Sequence, residues 1–168
     1  MHLPTPQALI EADACQDQRA LWADLFFDGD LLSTKQVEWT AERLQTCLDA
    51  GVDLVWGFEV GLGRTLPRSM ALTLPLTAYL CARFIDKGPR DDTRQAALGS
   101  EGYAYLYARY VDEGPRDDTR QAACSLPEYA LDYARFIDKG PRDDTRQAAL
   151  GSDYAYLYAR YVDKPCRK

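Results

Sequence analysis

The ten-residue phrase GPRDDTRQAA occurs three times, at Gly88–Ala97, Gly114–Ala123 and Gly140–Ala149, each copy 26 residues after the last. Aromatic-rich runs of one kind precede the copies: CARFIDK, YARYVDE and YARFIDK. Self-similarity at a fixed period of this size marks a repeat architecture, in which each unit buries its apolar surface only against its neighbours. Residues 73–98 align with 125–150 at a separation of 52, residues 99–124 lie between them, and a partial unit, 151–168, carries a one-residue deletion. Ala82–Ser100 and Ala134–Ser152 are identical. The copying is therefore recent, and identity between units is no measure of functional need.

Each unit reads as two short helices. Ser125-Leu126-Pro127-Glu128 has the pattern of a capping box opening helix A, which spans Glu128–Lys139, or Tyr103–Glu113 one unit earlier. Gly114 is placed to close it in the left-handed conformation. Pro115 then starts helix B, with Asp117 and Asp118 in the first turn, where the helix dipole favours acids. Ala122 and Ala123 give helix B a smooth flank, and a serine follows to cap the next helix A. Helices this short are marginal alone and need their neighbours. On helix A of the second unit, Tyr103, Tyr107, Tyr110 and Val111 share one side and Ala104 and Ala108 a neighbouring one, which leaves Arg109 and Asp112 as polar positions. Pro165 ends the last helix A.

The preceding residues have another character. Residues 1–75 hold 11 acidic and 5 basic side chains, a net of −6, whereas residues 76–168 hold 15 of each. All three Trp lie in the first part and all 11 Tyr in the second. Thr5-Pro6 is a good helix start, opening Gln7–Ala14, and Asp17–Phe27 follows. Ser33 or Thr34 caps a longer helix over Lys35–Ala50, with Gly51 as its stop. Val52–Leu62 has the composition of a strand and the length of a buried helix; the helical neighbours favour helix. The expected fold is all-α: a Trp-containing acidic helical block over residues 1–72, then an α-solenoid-like array of two-helix repeats of about 26 residues over 73–168.

Several function classes are disfavoured. The acidic balance, −6 overall, argues against a nucleic-acid binder, which normally carries a basic footprint. No apolar run has bilayer-spanning length, so no membrane partner is expected, and the N-terminus lacks signal-peptide character. The five cysteines are widely spaced without a CxxC pair, which suits reduced thiols in the cytoplasm. His2 is the only histidine, so neither a metal site nor a catalytic Ser–His or Cys–His pair is expected, and no cofactor motif is present. Gly61-Leu62-Gly63-Arg64 lacks the third glycine of a dinucleotide loop and reads as a loop or helix end. Adjacent acids such as Asp117 and Asp118 point about 100° apart on a helix and do not form a facing dyad.

The RDDTRQ block supplies the partner-binding candidates. Arg90, Arg94, Arg116, Arg120, Arg142 and Arg146, with Gln95, Gln121 and Gln147, recur on one face of successive units. Two readings stand side by side: a ridge that binds a partner, or a ladder of internal Arg–Asp pairs that holds the units in register. The expected function is non-enzymatic binding of another protein through the repeat surface. The alternative is an inhibitor, a toxin immunity protein or a phage anti-defence protein, whose acidic block occludes an enzyme's site. A fourth unit without a second helix also leads to the expectation of a homodimer through that end.

In its repeats the chain resembles uncharacterised bacterial and phage helical-repeat proteins with units of the form PEYAxxYAR–V–KG. Pro127-Glu128-Tyr129-Ala130, Tyr133-Ala134-Arg135, Ile137 and Lys139-Gly140 carry the match, over about the last 95 residues. The resemblance implies short α-helical repeats and transfers no activity. The first part is faintly similar to bacterial immunity-type proteins, through Ala14-Cys15, Leu21-Trp22, Asp53–Trp56 and Gly63-Arg64-Thr65-Leu66-Pro67.

Overall fold

The computed structural model describes residues 1–163. Those residues are all-helical, with no strand beyond one isolated bridge, and none of their helices is long and apolar enough to cross a membrane. The chain divides into two compact units, Met1–Ala71 and a second that begins at Leu72. Pro165 lies outside the described residues.

The first unit packs α1 (Pro6–Glu11), α2 (Gln16–Phe26), α3 (Ala41–Asp49), α4 (Leu54–Glu59) and α5 (Arg68–Ala71), with a 3-10 turn at Leu62–Thr65. Thr5 caps α1 by accepting from the Ala8 N–H, and Asp53 caps α4 by accepting from the Trp56 N–H. Val52–Leu62 is thus helical over most of its length. Trp22 and Trp39 meet edge to face at 6.1 Å in the core, beside Leu9, Phe27, Leu44 and Phe58. Their indole N–H groups donate to the Pro4 carbonyl and to Thr65 Oγ1, so both rings are buried without an orphaned donor.

One helix is much shorter than its sequence suggests. The expected Lys35–Ala50 helix begins only at Ala41, capped by Thr40, while residues 35–39 run extended beside the N-terminus. Leu3 donates to the Val37 carbonyl, Trp39 to the Met1 carbonyl, and His2 bridges Glu38. Val37 and Trp39 are buried while Gln36 and Glu38 are exposed, the two-residue alternation of an extended segment. Gly51 stops α3 in the left-handed region, φ 74°.

The second unit follows the 26-residue period. Its helix pairs are α6 (Pro75–Leu80) with α7 (Asp91–Ala97), α8 (Glu101–Tyr110) with α9 (Asp117–Ala123), and α10 (Pro127–Tyr133) with α11 (Asp143–Ala149); α12 (Tyr154–Tyr158) begins the fourth repeat. Wide π-type turns extend α6, α10 and α12 over Cys81–Asp86, Ala134–Asp138 and Ala159–Asp163. Each core cluster draws on three consecutive helices. Tyr105 and Ala108 of α8, Ala123 of α9 and Tyr133 of α10 form one, and Leu131, Ala134, Ala149 and Tyr158 form the next. Alanines with no exposed surface at these crossings let the backbones approach closely.

The helix ends differ from expectation in three ways. Helix B begins not at Pro115 but at Asp117, with extended Arg116 as its N-cap. Ser125 is not a cap: α10 begins at Pro127 with Leu126 as N-cap, so the serine stands one residue too early and no side-chain cap bond forms. The left-handed residue closing each helix A is not glycine but the charged residue before it, Lys87, Glu113 or Lys139, at φ 54–56°. The glycine N–H then reaches back to the carbonyl six residues earlier, Gly114 to Ala108 and Gly140 to Ala134, a closure one residue wider than the Schellman motif.

Candidate functional site

The repeated phrase builds the joint between one repeat and the next. The Tyr107 hydroxyl lies against the start of α7, where it accepts from the Arg90 N–H at 3.0 Å and sits 2.9 Å from Thr93 Oγ1. Tyr133 does the same to Arg116 and Thr119, and Tyr158 to Arg142 and Thr145. A seven-residue helix with no side-chain cap of its own is therefore capped by the following repeat. Cys81 occupies the corresponding position in the first repeat, which no GPRDDTRQAA block precedes.

A buried ion pair completes each joint. Arg94 reaches Asp112 through Nη2 at 2.7 Å and Nε at 3.3 Å, and Arg120 reaches Asp138 at 2.8 Å. Their remaining Nη1 groups bond Asp91 and Asp117 in the first helical turn. Arg94 and Arg120 are 5% and 3% exposed and stack on the rings of Tyr107 and Tyr133. Hydrogen bonding to Asp112 and Asp138 raises both guanidinium pKa values despite the opposing cost of burial. Arg146 makes the same contact with Asp163 at 2.7 Å but is half exposed.

The sequence-derived candidates thus separate. Arg94 and Arg120 are enclosed in joints. Arg90, Arg116 and Arg142 are exposed, and each pairs two residues on with Asp92, Asp118 or Asp144. Gln95, Gln121 and Gln147 are exposed on helix B.

A second periodic set, absent from the RDDTRQ reading, lies at the end of helix A. Arg83 stacks at 4.7 Å on Tyr110, Arg109 at 4.7 Å on Phe136, and Arg135 at 4.8 Å on Tyr161. Each arginine also covers the aromatic that follows it in sequence, so guanidinium and ring alternate from repeat to repeat. Tyr110, Phe136 and Tyr161 keep 38–42% of their surface exposed. An open groove of about 800 Å³ runs along the first part of this row, lined by Arg83, Arg109, Tyr110, Phe136 and, at its rim, Glu113 and Lys139. Asp132 lies near Arg109 and Arg135; partial burial pushes its carboxyl above the ordinary carboxylate range while the two arginines pull it down. The available signal was the dipeptide Arg-aromatic at 83, 109, 135 and 160, which recurs even in the fourth repeat, where no RDDTRQ follows.

The first unit holds an apolar cavity of about 50 Å³, lined by Trp22, Trp39, Trp56, Phe58 and other apolar side chains, besides an open, polar hollow of about 360 Å³ beside Lys35 and Arg43. The apolar cavity suits a water or a methyl-sized group and falls far below the few hundred Å³ of a metabolite site. No cluster of three or more His, Cys, Asp or Glu able to hold a metal occurs among the described residues. No family model, curated protein or solved structure matches this chain.

Proposed function

We propose that this chain is a non-enzymatic binding module: an acidic helical block followed by a solenoid-like array of two-helix repeats that takes a partner protein along one edge. The observation that carries this reading is the alternation of arginine and exposed aromatic side chains across successive repeats, bordering an open groove. Aromatics and arginine are the residues that dominate interface energetics, and a periodic array repeats them at fixed intervals. The face carrying Arg90, Arg116 and Arg142 is a weaker candidate, because its charges are already matched by neighbouring aspartates.

The test compares affinity capture by the wild-type chain with capture by Phe136→Ser and by Arg116→Ala, all checked for native helicity. A partner held by the wild type and by Arg116→Ala, but lost with Phe136→Ser, is the expected result. Loss with Arg116→Ala alone moves the site to the RDDTRQ face. A second reading, the inhibitor, is favoured by Asp28, Asp30 and Asp49, all exposed on the acidic first unit. It requires a complex that dissociates at raised salt and weakens when these three are made neutral.

A further inference from the structure

The groove beside the arginine–aromatic row also constrains its occupant, on the premise that this edge is the docking surface proposed above. We propose that it takes an extended acidic segment of a partner protein, with carboxylates on Arg83, Arg109 and Arg135 and apolar side chains against Tyr110 and Phe136.

The first argument is the state of the arginines. Stacking engages the face of a guanidinium and leaves its in-plane N–H groups directed outward, the edge that matches a carboxylate in bidentate fashion. Arg109 gives one N–H to the Tyr105 hydroxyl. Arg135, where Leu131 replaces that tyrosine, makes no guanidinium hydrogen bond among the described residues; it stacks on Phe136 and Tyr161, with Asp132 nearby. Arg83 likewise gives one N–H to the Tyr79 hydroxyl, so each arginine is held in place with further N–H groups left over, which lowers the entropy cost of binding a carboxylate.

Charge is the second argument. The array is neutral overall, but cations outnumber acids along the groove: Arg83, Arg109 and Lys139 line it with Glu113 and Asp138, and Arg135 and Asp132 lie beside it in the same row. Asp138, also at the wall, is already paired with buried Arg120. Glu113 and Lys139 are held in the left-handed conformation although a glycine is the next residue in each case, so a charged side chain is kept at the rim at a conformational cost.

Spacing supplies the third. Packed helices lie about 8–10 Å apart, and a chain in the extended polyproline-II conformation advances about 3.1 Å per residue with three residues per turn, so successive arginines meet every third residue on one side of it. A peptide can place a neutral residue opposite Glu113 and Asp132. A nucleic acid carries a phosphate at every nucleotide and would meet those carboxylates along its backbone.

The experiment is selection of random peptides of about twelve residues, enough at ~3.1 Å each to cross the groove, displayed against the full chain. Anisotropy of the selected peptides is then measured with wild type, Arg109→Glu and Phe136→Ser. Support consists of enriched Asp or Glu at three-residue spacing, with binding weakened about tenfold or more by Arg109→Glu. Neutral or basic peptides that still lose affinity on Phe136→Ser overturn the acidic segment and leave the docking edge standing. Peptides indifferent to both substitutions, or a selection that enriches nothing, overturn both. A single-stranded oligothymidine that binds the wild type as tightly as the best peptide, and not Arg109→Glu, overturns the peptide in favour of nucleic acid.

Discussion

The hydroxyl of Tyr133 illustrates how much one atom does here: it meets the N–H and carbonyl of Arg116 and the hydroxyl of Thr119, with the ring fully buried. Tyr133→Phe keeps the ring and strands those groups, so urea denaturation should show a loss of about 1–3 kcal/mol. Two glycines of the first unit respond oppositely to alanine. Gly57 lies inside α4 with open space at its Cβ, and Gly57→Ala should stabilise by about 1 kcal/mol. A Cβ on Gly63 would stand 2.6 Å from the Phe58 ring, and Gly63→Ala should cost about 1–3 kcal/mol. Burial pushes the Cys47 thiol from 9.0 up to about 12. The unfolded chain therefore releases this proton first, so stability falls as pH rises from about 9 towards 12. Cys47→Ala should flatten that slope in paired denaturation curves, and an unchanged slope would assign it to other groups.

Among elements, burial separates interactions of identical chemistry. The Arg120–Asp138 pair has side chains only 4% and 5% exposed, and Asp138→Asn leaves a buried cation short of its counter-charge, a loss of about 3–5 kcal/mol. Asp163→Asn breaks the same pair where both partners are open to water, and its effect on the midpoint should be too small to resolve. Equal losses at the two joints would refute burial as the cause. Helix ends separate local from distant signals in the same way. Thr5, Asp53 and Gly51 act through neighbours within a few residues, and the sequence showed Thr5 and Gly51 in those roles. Residues 35–39 were missed because their partners, Met1 and Leu3, lie more than thirty residues away. Steric preference favours glycine over Glu113 as the left-handed residue, and the chain departs from that preference at all three closures. Glu113→Gly should accordingly gain up to about 1 kcal/mol, read as a raised denaturation midpoint.

For the whole molecule, the most repeated letters describe assembly better than recognition. RDDTRQ contributes the joint: Thr93 and Arg94 and their counterparts face the next repeat, and the aspartates close the first turn of helix B. The candidate docking edge lies in the less uniform ARF and ARY stretches, whose alternation becomes visible only when neighbouring helices stand side by side. Sequence thus gave the period, the helix pairs and the Arg–Asp ladder as one of two readings. It could not show which arginines the stacking of repeats would enclose. The joints also have a consequence for the gene. Tyr107, Tyr133 and Tyr158 each engage the same backbone and threonine atoms, so the halves of one joint are interchangeable with those of another. Unequal crossover between the stretches encoding Ala82–Ser100 and Ala134–Ser152 would add or remove a 52-residue pair without creating a new kind of junction. A variant lengthened by that pair should fold with unchanged helicity per residue and hold a correspondingly longer segment. Heritable change in copy number would then tune the reach of the groove while its chemistry stayed constant.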